Sequence, residues 1–357
     1  MPVPVVVVST VDPILREMTA ASALTELPRT AVLRIDLHPD EGELRRVISD
    51  SAGIVEDETV LMDHACMGCA VRDGAMPTLA RMVGHRRWDR IVLLSPATAE
   101  ATPASRPLAA PDIARRLGVR LAGVLAVVDV DTVTDDIMGD DLLSDRSLGA
   151  GADDRRSVGE ALGAQIAHAD LLLTVGEDPA GLTLVDHLRG RGSSRSSLYE
   201  TVGVELFRMR HRAALAEARL DPRRVQPPQV ADAHGVWSLD LVSDRPLHPG
   251  RFLDRIADLG SGRLRSRGRF VLPTRRDTVC VWDGAGGQVS IGHGGGWDSV
   301  PPSTRMVFTG VDDDRRRVQE TFADLVLTDA EWVAGPARWR GADDGLGDWL
   351  GGDDRVG

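Results

Sequence analysis

The sequence predicts an α/β protein, a doubly wound parallel sheet followed by a smaller α+β domain. Three observations carry this reading. Short, almost wholly apolar runs alternate with helical spacing as far as Val175, as in a parallel sheet covered on both faces. After Pro227-Pro228 the pattern changes to period two, with a hairpin signal at Asp283-Gly284-Ala285-Gly286-Gly287. A length of 357 residues fits two domains of ordinary size.

Taken in order, Val3–Val8 is almost entirely β-branched and reads as a buried strand. Pro13 is a favoured first helical residue, and Ile14–Leu27 reads as a helix. Ala31–Ile35 is a strand, Gly42–Ser49 a helix and Thr59–Met62 a short strand. Met76, Leu79, Met82 and Val83 give Asp73–Val83 helical spacing. Ile91–Leu94, Leu121–Val128 and Leu171–Val175 read as strands, and Ile113–Leu117 and Val158–Ala169 as helices. A helix over Val204–Arg219 is stopped by Asp221-Pro222. The first domain is therefore expected over 1–220, a linker over 221–232, the second domain over 233–340, and a flexible tail over 341–357 held at Trp349.

In the second domain, Trp237, Leu239 and Leu241 alternate, while Phe252, Ile256 and Leu259 keep helical spacing. Val279–Trp282 and Gln288–Ile291 flank the hairpin, Met306–Phe308 is a strand, and Arg315–Leu325 a helix. Six of the seven tryptophans follow residue 230, so aromatic core material concentrates here. Gly292–Trp297 reads as a flexible loop anchored by Trp297.

Composition removes several chemistries. All 42 basic residues are arginine, and asparagine is also absent. Schiff-base chemistry, a lysine general base and a phosphate-loop lysine are excluded. The net charge of −12 argues against general binding to nucleic acid or to an anionic membrane. Three cysteines fit a reducing compartment rather than a secreted disulfide scaffold. No run approaches the ~20 apolar residues of a membrane helix. A cytoplasmic location is expected.

The chemical centre of the sequence is Asp63-His64-Ala65-Cys66-Met67-Gly68-Cys69-Ala70-Val71-Arg72-Asp73. Two thiolates two residues apart can hold one edge of a zinc tetrahedron. His64 is the nearest third ligand, with Asp63 and Glu58 weaker. The pair also precedes a predicted helix, whose N-terminus lowers thiol pKa. Three readings stay open: a zinc site, a thiol redox pair, or two cysteines on a structural turn. A second charged feature is the alternation Arg263, Arg265, Arg267, Arg269, which places four arginines on one strand face. This face is a candidate partner contact, set against a solvated face paired with aspartates.

Several segments together resemble the CobW-like GTPases, a P-loop family linked to metal delivery. They are Gln165-Ile166-Ala167-His168-Ala169-Asp170, Arg245-Pro246-Leu247-His248-Pro249-Gly250-Arg251-Phe252 and Gly262–Gly268, together with the cysteine motif. The resemblance spans nearly the whole chain. It implies a P-loop-NTPase-like first domain and a CobW C-terminal-type second domain. Departures from the pattern are concentrated at the nucleotide. The phosphate loop maps onto Ser9–Met18 without its glycines, with Arg16 at the lysine position and Glu17 at the magnesium hydroxyl. The Walker B-type glutamate maps onto Leu94. The guanine motif maps onto Val175-Gly176-Glu177-Asp178, where only Asp178 remains. A pseudo-GTPase without GTP as cofactor is expected. Of the cysteine triplet in the family, the outer two remain as Cys66 and Cys69, and Gly68 replaces the middle one.

Within this family the chain is similar to a branch of GC-rich bacteria in Cys66-x-x-Cys69-x-x-Arg72-Asp73 and in Gly347-Asp348-Trp349. That branch includes a zinc-starvation protein that recruits a hibernation factor to zinc-independent ribosomes. The resemblance implies a non-catalytic adaptor in the zinc-limitation response, with ribosome or hibernation factor as partner and zinc held or sensed at Cys66 and Cys69. The alternatives are an active zinc metallochaperone GTPase and a thiol redox sensor.

Overall fold

The computed structural model describes residues 1–201, 203–297, 301–339 and 342–350. Clustering of contacts divides the chain into two compact units. One comprises Met1–Val133 with Asp141–Leu220, and the other Thr134–Asp140 with the residues from Asp221 onward.

The first unit runs β1 (Val3–Ser9), α1 (Pro13–Glu26), β2 (Thr30–His38), β3 (Glu43–Asp50), β4 (Gly53–Leu61), α2 (Met67–Cys69), a π-helical turn (Ala70–Ala75), α3 (Met76–His85), β5 (Arg90–Leu94), α4 (Thr102–Ala109), α5 (Pro111–Leu117) and β6 (Val119–Asp129). Helix α6 (Val133–Met138) follows and belongs, from Thr134, to the second unit, and the first unit continues through α7 (Val158–His168), β7 (Leu171–Val175), α8 (Pro179–Leu188), β8 (Ser194–Ser197), α9 (Leu198–Thr201), α10 (Val204–Arg208) and α11 (Ala213–Leu220). Eight strands form one sheet in the order β4-β3-β2-β5-β1-β6-β7-β8. The six from β2 to β8 are parallel, and the β3–β4 hairpin is added antiparallel beside β2. Val5 and Val7 face one core with Leu33, Leu79 and Leu93, and Val6 and Val8 face the other with Leu15, Leu94 and Leu173. Burial on both faces is why these strands are continuously apolar.

The expected helix at Gly42–Ser49 is strand β3. Leu44, Val47 and Ile48 have helical spacing, but β3 pairs with β2 from His38↔Glu43 to Val32↔Ser49. All three are buried because both sheet faces are covered there. The expected single helix over Val204–Arg219 is broken between α10 and α11. Arg120 takes the carbonyls of Phe207 and Met209 (2.5 and 2.8 Å), and His211 turns Nδ1 to Asp170 Oδ2 at 2.7 Å. The Gln165–Asp170 segment is a packing clamp. Gln165 Nε2 donates to the Ala99 carbonyl at 3.0 Å, His168 Nε2 meets Ser105 Oγ at 2.8 Å, and Asp170 accepts from Val124 N at 3.0 Å.

The second unit carries an antiparallel sheet, β12-β11-β10-β13-β9, formed by β9 (Trp237–Ser243), β10 (Leu264–Phe270), β11 (Thr278–Ala285), β12 (Gln288–Gly296) and β13 (Thr304–Gly310). Helices α12 (Pro249–Gly260) and α13 (Arg315–Leu325) pack on it through Phe252, Leu259, Phe322 and Leu325. Short helices α14 (Asp329–Val333) and α15 (Gly347–Leu350) follow. Trp282 and Phe308 are fully buried at the centre. The expected loop at Gly292–Trp297 is, up to Gly296, strand β12, whose glycines still pair with β11 (Val281↔Gly292, Thr278↔Gly296), with an irregularity in register between Thr278 and Cys280. Position 341 and residues 351–357 of the expected tail lie outside the described residues. Where the tail is described, Leu346 and Leu350 are buried and Trp349 is half exposed, so the leucines, not the tryptophan, anchor it.

Candidate metal centre

The cysteine motif opens the helix formed by α2, the π turn and α3. Cys66 is the N-cap, and its Sγ accepts from Cys69 N at 3.4 Å. The chain can pack so closely because Gly74 faces β3, where a Cβ would stand 2.2 Å from Leu44 Cδ2. The turn Cys66 N to His64 O (3.0 Å) folds His64 back toward the sulfurs. His64 Nδ1 lies 3.7 Å from Cys69 Sγ. One donor atom from each of His64, Cys66 and Cys69 lies within 4.8 Å of the others. The Zn–S and Zn–N bond lengths of a tetrahedral site imply an N···S edge of about 3.6 Å, which the His64–Cys69 spacing matches. His64 is exposed and the cysteines half buried, which leaves the cluster open to solvent.

Electrostatics favour thiolate at Cys66. Its pKa is lowered to about 7, first by the backbone N–H of Cys69, with His64 adding to the effect. Cys69 is raised, chiefly by Cys66 beside it. Arg72, which sequence reading left as part of a pattern, donates to Cys69 Sγ at 3.4 Å and is held by Asp73 (2.7 Å). Of the weaker ligand candidates, Glu58 pairs with Arg46, and Asp63 lies outside the cluster. Cys280 is buried in the second unit, with its thiol pushed up to about 12 by burial.

The positions that the resemblance maps onto a nucleotide site are engaged by the protein's own groups. Asp12 caps α1, its Oδ1 accepting from Ile14 N (2.6 Å) and Leu15 N (3.1 Å), so a carboxylate sits on the N–H groups that would bind phosphate. Arg16 is buried rather than aimed at a ligand. It bonds Asp36 Oδ1 (2.6 Å), the Ile35 carbonyl (2.8 Å) and the Leu94 carbonyl (3.5 Å). Glu17 pairs with Arg34. Asp178 caps α8 through Gly181 N at 2.9 Å, so its carboxylate is engaged by backbone rather than free for a base. Asp131 Oδ1 accepts from Glu177 N and Asp178 N, both 2.9 Å. Gly176, at φ +89°, leaves no room for a side chain, since a Cβ would stand 2.6 Å from that carboxylate.

The arginine strand is not an open basic face. Arg265 is buried and, with Arg267, clasps Asp283. Arg269 donates to the Arg223 carbonyl (2.6 Å) and Ser303 (3.1 Å), and Arg263 pairs with Asp135 at 2.7 Å. The alternation is real, and its charge is answered by carboxylates and carbonyls of the protein itself.

With the geometry in hand, the class follows for the second unit. Residues 236–326 match the cobalamin synthesis protein CobW C-terminal domain. Over 90% of this chain and 88% of the relative, the sequence is 27% identical to a zinc chaperone of Mycobacterium tuberculosis (strain ATCC 25618 / H37Rv). It is 21% identical to the zinc-regulated GTPase metalloprotein activator 1 of Dictyostelium discoideum, over 80% of this chain and 69% of that one. The Zn(II)-bound YjiA GTPase from E. coli aligns over 92% of this chain and 100% of its own, at 14% identity and a TM-score of 0.38. Among the described residues, no helix is long and apolar enough to cross a membrane.

Proposed function

We propose that this protein binds and passes on zinc at His64, Cys66 and Cys69 without a GTP cycle. The observation that carries the reading is the three-donor cluster, open to solvent and leaving the fourth tetrahedral position for a donor or acceptor of the ion. The relatives named as a zinc chaperone and a zinc-regulated GTPase metalloprotein activator support the metal. The Asp12 cap and the buried Arg16 argue against carrying over the nucleotide step. Zinc stays cargo in this reading. The protein supplies a thiolate at Cys66, a second sulfur steadied by Arg72, and an imidazole. The metallochaperone GTPase alternative needs phosphate-binding N–H groups that Asp12 already takes.

A finer reading, supported by the sequence motifs alone, makes the protein an adaptor in the zinc-limitation response that brings a hibernation factor to the ribosome. The test of the first reading is zinc stoichiometry after anaerobic purification. The wild-type protein is expected to carry about one zinc, Cys66→Ser and Cys69→Ser below a tenth of that, and His64→Ala an intermediate amount. Full zinc in Cys66→Ser overturns it. A reversible Cys66–Cys69 disulfide indifferent to zinc would favour the redox alternative. Failure to co-sediment with ribosomes, with and without the hibernation factor, rejects the adaptor role.

A further inference from the structure

Strand β4 is the outermost strand of the first unit's sheet, and among the described residues nothing pairs with its outer edge. It is nine residues long and exposed along most of its length, with Ile54 at 69% and Leu61 at 80% exposure. It contains no proline, one of the usual devices that blunt an edge. Met62 N donates inward to the Gly42 carbonyl at 2.8 Å. The two-residue period then turns the N–H and C=O groups of Leu61, Thr59 and Asp57 outward.

The side chains set which strand can join. Glu56, Asp57 and Glu58 are consecutive on β4, and each has one arginine partner, Arg81, Arg45 and Arg46 respectively. A carboxylate has acceptor sites beyond one such pair. A second copy of β4, added antiparallel about Asp57, would set these acids against their own equivalents in a chain of net charge −12. An incoming strand with arginine or lysine at these positions meets complementary charge, with Ile54 and Leu61 as apolar contacts at either end. The acids that discourage self-pairing are thus also the selectivity device.

We infer that the β4 edge docks an extended, basic segment of another protein by strand addition. The strand ends at Leu61, three residues before His64, so the docked segment runs toward the cysteine cluster. The docking stands on the edge itself. That the segment belongs to the protein giving or receiving zinc rests on the function proposed above.

The test uses the full chain and a synthetic nine-residue peptide alternating arginine and valine, with a glutamate–valine peptide as control. Binding is followed by fluorescence polarisation at two salt concentrations and by amide hydrogen exchange. The basic peptide is expected to bind, more weakly at higher salt, and to slow exchange at Asp57, Thr59 and Leu61. Thr59→Pro removes one outward N–H but no inner ladder bond, and should weaken binding at least tenfold. Thr59→Val keeps that N–H and should stay within twofold. Equal binding of both peptides, no binding, wild-type affinity in Thr59→Pro, or protection elsewhere would each overturn the inference. If Thr59→Pro does not fold, the wild-type exchange pattern decides. Cys66→Ser should bind the peptide as the wild type does, so failure of the zinc reading and failure of the docking reading appear in different measurements.

Discussion

His168 shows what burial does to a single titratable group. It is 2% exposed, and burial pushes its pKa down to about 4, with His211 and Arg219 acting in the same direction and Glu217 and Asp170 against it. Its unfolded value is near 6.5, so the folded state binds the proton less readily. The resulting stability is fully present above pH 6.5 and is lost as pH falls toward 4. Lowering pH from 7 to 4.5 should therefore cost roughly 2–3 kcal/mol through this residue. In His168→Gln, urea midpoints should change less over that interval, and an unchanged slope would assign the acid sensitivity elsewhere. At this scale the sequence was legible where local spacing sets chemistry, as at Cys66 and Cys69. The capping role of Asp178 was not, because it depends on where β7 ends and α8 begins. Nor was the Arg265–Asp283 contact, whose partners meet only when β10 and β11 align across their connection.

Among the elements, β10 lies tight against β13 at Gly268. A Cβ there would stand 2.2 Å from the Arg305 carbonyl oxygen and 2.7 Å from Met306 Cα, both backbone atoms with little freedom to retreat. Gly268→Ala should destabilise the protein by about 3 kcal/mol, the upper part of the overpacking range. Gly74→Ala meets the tip of Leu44, a side chain that can rotate, and should cost about 1 kcal/mol. Denaturant unfolding of the two variants compares them directly, and equal losses would contradict the distinction. Parallel strands such as β1 and β5 were readable because burial on two faces makes every residue apolar. Strand β8, Ser194–Ser197, gave no signal, since an edge strand of serines and arginine has no apolar period. Strand β3 misled because three apolar residues at i, i+3 and i+4 satisfy either structure, and pairing with β2 decides the outcome.

For the whole chain, the −12 charge coexists with arginines that are largely engaged in ion pairs, among them Arg16, Arg156, Arg219, Arg251 and Arg275. The two-domain reading followed from the change of period after Pro227, a property of texture. The internal filling of the positions that the resemblance maps onto a nucleotide rests on contacts between residues as distant as Arg16 and Leu94, and no local window holds them.

That filling also bears on whether a nucleotide site could be built at these positions. A lysine placed at position 16 would still meet Asp36, Asp12 would still cover the first turn of α1, and a side chain at 176 would crowd Asp131. Each such substitution removes a contact before any ligand can replace it. Arg16→Lys alone should gain no measurable GTP affinity by calorimetry, and micromolar binding in that single variant would show that these contacts do not exclude the nucleotide.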